Sequence, residues 1–207
     1  MEKDTQHLEQ LAEIRDIMNK STRFLSLSGL SGVVAGLAAL GGAFAAYRYF
    51  GYQFHLPLYS YLGDTSELIQ FLLLNATLVL SIAIGFGGIF TIRKARKNGD
   101  KVLNASGKRM LINLGIPLLS GGALSLIFIH HHLFFLLPSM TLIFYGLALI
   151  NASKYTLEDI RYLGYCEIIL GLLSALFIGY GLLFWAIGFG VLHIVYGAIM
   201  YFKYDRA

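Results

Sequence analysis

"FIHHHLFFLLP", residues 128–138, interrupts an oily run that extends from Met110 to Ile150. A helix rising 1.5 Å per residue over the whole run would be far too long for one crossing of a ~30 Å hydrocarbon core. The run must therefore double back. His130, His131 and His132 are the best break, because polar residues can turn the backbone at headgroup depth. A second run, Tyr162 to Phe202, needs the same treatment, and Gly179-Tyr180-Gly181 supplies permissive residues for it.

With both runs folded, six segments have the roughly 17 to 25 apolar residues that a helical span requires. They are Phe24–Tyr47, Leu68–Ile92, Met110–Ile129, Leu133–Ile150, Leu163–Tyr180 and Leu182–Phe202. Composition agrees. The 207 residues are 57% hydrophobic and 14% charged, where soluble domains carry about 25% charged residues, and the mean hydropathy is +0.65. The expected fold is an all-α polytopic membrane protein with six transmembrane helices arranged as three in-out-in hairpins, 23–92, 109–151 and 161–203. This domain, 23–207, follows a short cytosolic amphipathic helix within residues 1–22.

The distribution of Lys and Arg sets the orientation. With the N-terminus inside, fifteen of the sixteen basic residues fall on the cytosolic face, including the cluster from Arg93 to Arg109, and only Arg48 falls outside. Both termini are then cytosolic, and a bacterial inner membrane is the expected location. The polar lead through Arg23 shows no signal-peptide pattern. The net charge of +4 is a topology signal, and no nucleic-acid partner is expected. A lone cysteine, Cys166, excludes an intrachain disulfide.

In the N-terminal segment Leu8, Leu11, Ile14 and Met18 recur at helical spacing. Its five acids and four bases through Arg23 nearly balance. That favours a helical protein partner, or a second copy of the chain, over an anionic lipid surface. The inner ends of the odd spans, Arg23-Phe24-Leu25, Arg109-Met110-Leu111 and Arg161-Tyr162-Leu163, are alike. Gly29, Gly115 and Glu167 take equivalent places, as do Phe86-Gly87, Tyr145-Gly146 and Tyr196-Gly197. The pattern suggests an internal threefold repeat of the hairpin. Ser28, Gly32 and Gly36 form a small-residue stripe suited to close helix packing. The stretch "STRFLSLSGLSGVVAG" resembles a group of bacterial multi-span inner-membrane proteins, a resemblance that implies no activity.

Glu167 is the only acid inside an expected span, and a carboxylate there costs a few kcal/mol even on lenient scales. It lies roughly 6 Å past the inner end of its helix by helical rise. One reading makes it a hydrated interfacial acid. The other makes it the centre of a polar niche with His193, Tyr165 and Tyr196, in the space left by Gly29 and Gly115, suited to a cation, a proton or an amine. His193 lies roughly 13 Å deep. Asn113 is a further candidate contact, although Asn75 and Asn113 also suit interhelical hydrogen bonds.

The outer face offers His130, His131 and His132 with His55 and Asp64 as a His/carboxylate set for a divalent metal. Successive helical residues point about 100° apart, however, so the three histidines cannot converge on one ion from a helix. The turn reading is preferred. Gly29-Leu30-Ser31-Gly32 is similar to the GxSG motif of rhomboid intramembrane proteases, which implies Ser31 as nucleophile and His193 as base. The rhomboid serine belongs to a fourth span near the outer face, whereas Ser31 falls in the first span near the inner face. No Walker, HExxH, dinucleotide-binding or haem pattern occurs, so neither an enzyme nor a cofactor is expected. The leading expectation is transport or permeation of a small solute or ion through a niche in the bundle. Its rival is a non-catalytic sensor or interaction subunit that acts through the N-terminal helix.

Overall fold

The computed structural model describes residues 23–51, 65–99 and 104–206, and the N-terminal helix, His55 and Asp64 lie outside the described residues. Every regular element among the described residues is helical. The rods are α1 (Gly29–Tyr49), α2 (Thr65–Lys97), α3 (Ala105–His130), α4 (Leu137–Ala152, with a 3₁₀ turn at either end), α5 (Ile160–Leu176) and α6 (Gly181–Asp205). Five are long and apolar enough to cross a membrane, α4 counted with its terminal turns. The sixth, α5, has 17 residues and rises about 26 Å. The chain is built as a polytopic helical membrane protein.

Both expected breaks are in place. α3 ends at His130, His131 caps it, and His132 takes a φ of +58°, the left-handed value that reverses the chain into α4. The second break has Gly179 at φ +103°, after which α6 starts at Gly181.

Most helix boundaries shift by a few residues from expectation, and two of the shifts have a clear cause. The first helix begins at Gly29, and residues 24–28 form no regular element. Phe24 N–H donates to the Tyr155 carbonyl at 2.8 Å, and its own carbonyl accepts from Thr156 Oγ1 at 2.6 Å. These bonds satisfy the backbone without helix, and Phe24 and Ser26 are buried there. α2 runs to Lys97 rather than Ile92, since bases in a last turn complement the helix dipole.

Glycines set the closest helix contacts. On α1, Gly36 faces α6 so tightly that a Cβ would stand 2.7 Å from the Gly190 oxygen, and one on Gly197 would stand 2.5 Å from Val33 N. α4 and α5 meet the same way, Gly146 against the Gly164 carbonyl and Gly164 against that of Gly146. Where lipid removes the hydrophobic drive between helices, such backbone approaches supply the dispersion contacts that hold them. The expected stripe through Gly32 and Gly36 is thus spent inside the chain. α2 packs on α1, with Asn75 Nδ2 donating to the Gly42 carbonyl at 3.2 Å, and α3 packs on α4, with Asn151 Nδ2 donating to the Asn113 carbonyl at 3.2 Å.

The positions equated across the expected repeat have unlike surroundings. Gly29 abuts the Tyr201 backbone, Gly115 faces open space, and Glu167 is buried. The two glycines therefore leave no shared space for the carboxylate.

Candidate functional site

Three helices converge on Glu167. α5 is locked to α4 by the glycine pair and by a contact of 3.3 Å between the Ser139 and Ser174 hydroxyls. Next to α5, α6 widens into a π-helical segment, Ala186–Leu192, immediately before His193. Such segments insert an extra residue per turn and recur at functional sites. Here the irregular stretch sets Gly188 against Glu167, with no side chain between them: a Cβ on Gly188 would stand 2.5 Å from Glu167 Oε2 and 2.5 Å from Leu142 Cδ2.

His193 is held at both ring nitrogens. Nδ1 lies 3.0 Å from the Gly188 carbonyl oxygen, and Nε2 lies 2.7 Å from the Tyr145 hydroxyl. A carbonyl can only accept, so Nδ1 carries the hydrogen, and in the neutral ring Nε2 accepts from the Tyr145 O–H. Nδ1 also lies 3.4 Å from Glu167 Oε1. Phe189 flanks the ring, with centroids 5.9 Å from His193 and 5.0 Å from Tyr145.

Glu167 is 0% exposed, and neither of its carboxylate oxygens has a hydrogen-bond partner within the described residues. A bare buried carboxylate is among the costliest states a side chain can adopt. The site is uncharged only with a proton or another cation added to the Glu167–His193 pair.

Of the residues named from sequence, Glu167 and His193 come together. Tyr196 packs against the cluster of Leu149, Leu157, Ile160, Leu163 and Met200, and it makes no hydrogen bond to Glu167, whose carboxylate oxygens have no partner among the described residues. Tyr165 is 47% exposed, because two residues before Glu167 a helix points nearly the opposite way. Asn113 spends its amide on the Arg109 carbonyl, one turn back. The tyrosine at the site is Tyr145, which sequence reasoning missed. The signals were present in the Tyr145-Gly146 pair and in the glycine-rich stretch around Gly188, but nothing local joins them.

The other candidates are placed elsewhere. His130, His131 and His132 are exposed, and their rings contact one another and Phe134. Among the described residues no group of three His, Cys, Asp or Glu could hold a metal ion. Ser31 Oγ donates to the Ser28 carbonyl, so no Ser31–His193 hydrogen bond forms.

A crevice of about 460 Å³ lies elsewhere in the bundle, lined by residues such as Gly42, Leu72, Leu126, Phe134, Leu182 and Trp185, and Glu167 and His193 are not part of its wall. No protein-family model, curated protein or solved structure matches the chain.

Proposed function

We propose that this is a six-crossing protein of a bacterial inner membrane, with both termini cytosolic, and that Glu167, His193 and Tyr145 form a site that binds a small cation in the course of its permeation. α5 completes the sixth crossing, its 17 residues meeting the lower limit for a span. The observation that carries the reading is the orphaned carboxyl of Glu167. A structural acid at this depth would be satisfied by donors from its neighbours, as Asp205 and Asp159 are at the helix ends. Glu167 instead faces a histidine already engaged at both nitrogens. A negative site with spare acceptor capacity and low dielectric attracts positive charge.

The test is thermal stability of the purified chain against pH, monovalent cations and small amines, with Glu167→Gln measured beside the parent. A species that binds the native state raises the melting temperature by mass action. A response confined to the parent is expected. Identical responses from parent and variant across the whole panel would remove Glu167 as the binding group.

A further inference from the structure

We propose that the cation taken by this site is a proton, held jointly by Glu167 and His193 and exchanged through the Tyr145 hydroxyl. The inference rests on the reading above and narrows it to one species.

Space is the first argument. Glu167 is 0% and His193 6% exposed, and on the side of Gly188 there is no room beside Oε2 even for a methyl carbon. An ammonium group needs about the room of a water molecule. A proton needs none. The crevice, which has room, is walled by other residues.

Ligand count is the second argument. Metal cations take about four to eight donors, mostly oxygen for the hard ions. Here the Gly188 carbonyl and both imidazole nitrogens are already engaged, leaving only the two carboxyl oxygens. The titratable groups that face Glu167 from the packed elements are His193 on α6 and Tyr145 on α4. Neither Lys nor Arg pairs with it among the described residues.

The geometry also gives a route. As a proton arrives on the Tyr145 oxygen, the phenolic hydrogen passes to His193 Nε2 across the 2.7 Å contact. The resulting imidazolium keeps its Nδ1–H between the Gly188 carbonyl and Glu167 Oε1. Closing the 3.4 Å gap to Oε1 takes a shift of about half an ångström. The Nδ1 proton then moves to the carboxylate. The balance is one proton gained: Tyr145 is again a neutral phenol, His193 a neutral imidazole now protonated on Nε2, and Glu167 a carboxylic acid whose O–H donates to Nδ1, in place of the Nδ1–H that the Gly188 carbonyl accepted in the resting site.

The experiment uses the full chain in liposomes containing a pH-sensitive dye, with an imposed potassium diffusion potential, and compares protons, sodium and methylammonium as the permeant species. The parent is expected to carry protons. Glu167→Gln lowers that flux by about a hundredfold, the scale of a lost proton-transfer group. Tyr145→Phe, which keeps the ring, slows proton flux without lowering the melting temperature by more than a few degrees, and so separates relay from folding. Sodium or methylammonium flux that needs Glu167, with no proton flux, overturns the proton inference and leaves the cation reading standing. No Glu167-dependent flux of any probe overturns both.

Discussion

The ammonium of Lys94, near the end of α2, lies 2.5 Å from Asp205 Oδ1 at the end of α6. Asp205 Oδ2 meanwhile accepts from Ser28 Oγ and Gly29 N–H, each at 3.0 Å, and Lys94 also donates to the Leu27 carbonyl. One carboxylate thus caps the N-terminus of α1 and ties three helices together at one end of the bundle. With side-chain exposures of 13% and 10%, neither partner can be removed without stranding the other. Asp205→Asn should cost about 2 to 4 kcal/mol, measured as equilibrium unfolding in mixed micelles. The Lys94→Met, Asp205→Leu double variant should be less damaging than the sum of the singles.

Glycine contacts give a second contrast. Gly146→Val forces a side chain against the Gly164 carbonyl and Ile168, and should cost about 3 kcal/mol or prevent assembly. Gly115→Ala enters open space on α3 and should leave the melting temperature within a degree or two or raise it slightly, as Ala is the better helix former. Size-exclusion profiles and thermal melts decide between them.

A third expectation concerns pH. The Lys203 ammonium, 2.7 Å away, donates to Asp159 and holds its carboxyl below the usual carboxylate range, with Tyr204 O–H adding a second bond. A carboxyl whose folded value is depressed stabilises the fold at pH values above its unfolded value, and that contribution fades as pH falls through the folded one. Lys203→Met should therefore lower stability near neutral pH and make little difference in strong acid. Salt should shrink the effect, because the pair is solvent-screened. Parallel losses at acid and neutral pH would show that the pair adds no charge-dependent stability.

Topology supplies the fourth. In a Cys166→Ser background, a cysteine placed at His131 should react with a membrane-impermeant maleimide from outside intact cells, and one placed at Arg206 only after lysis. Labelling of both from the same side would remove the sixth crossing.

The turn at His130 to His132 was legible because span length is arithmetic: the run was too long, and the three adjacent histidines near its middle were its one cluster of polar residues. The break at Gly179 was legible for the same reason. Glu167 and His193 stood out because ionisable groups inside apolar helices are expensive. Tyr145 did not, since its role depends on a π-helical stretch of α6 and on a meeting of α4, α5 and α6 that no local pattern encodes. Residues 24–28 were misread as helix because hydropathy reports burial, not backbone conformation, and Thr156 and Tyr155 hold Phe24 from far along the chain. The glycine-rich faces were visible as small residues, but which helix each one meets was not.

Protonation of Glu167 is read from the infrared difference spectrum of the reconstituted protein between acid and alkaline conditions, with Glu167→Gln recorded alongside. A titrating carboxylic C=O band is expected in the parent, one that shifts in heavy water, moves its midpoint in Tyr145→Phe, and disappears in Glu167→Gln. The same carboxyl bands in parent and Glu167→Gln would contradict that expectation, because the group that exchanges protons would then be some other acid.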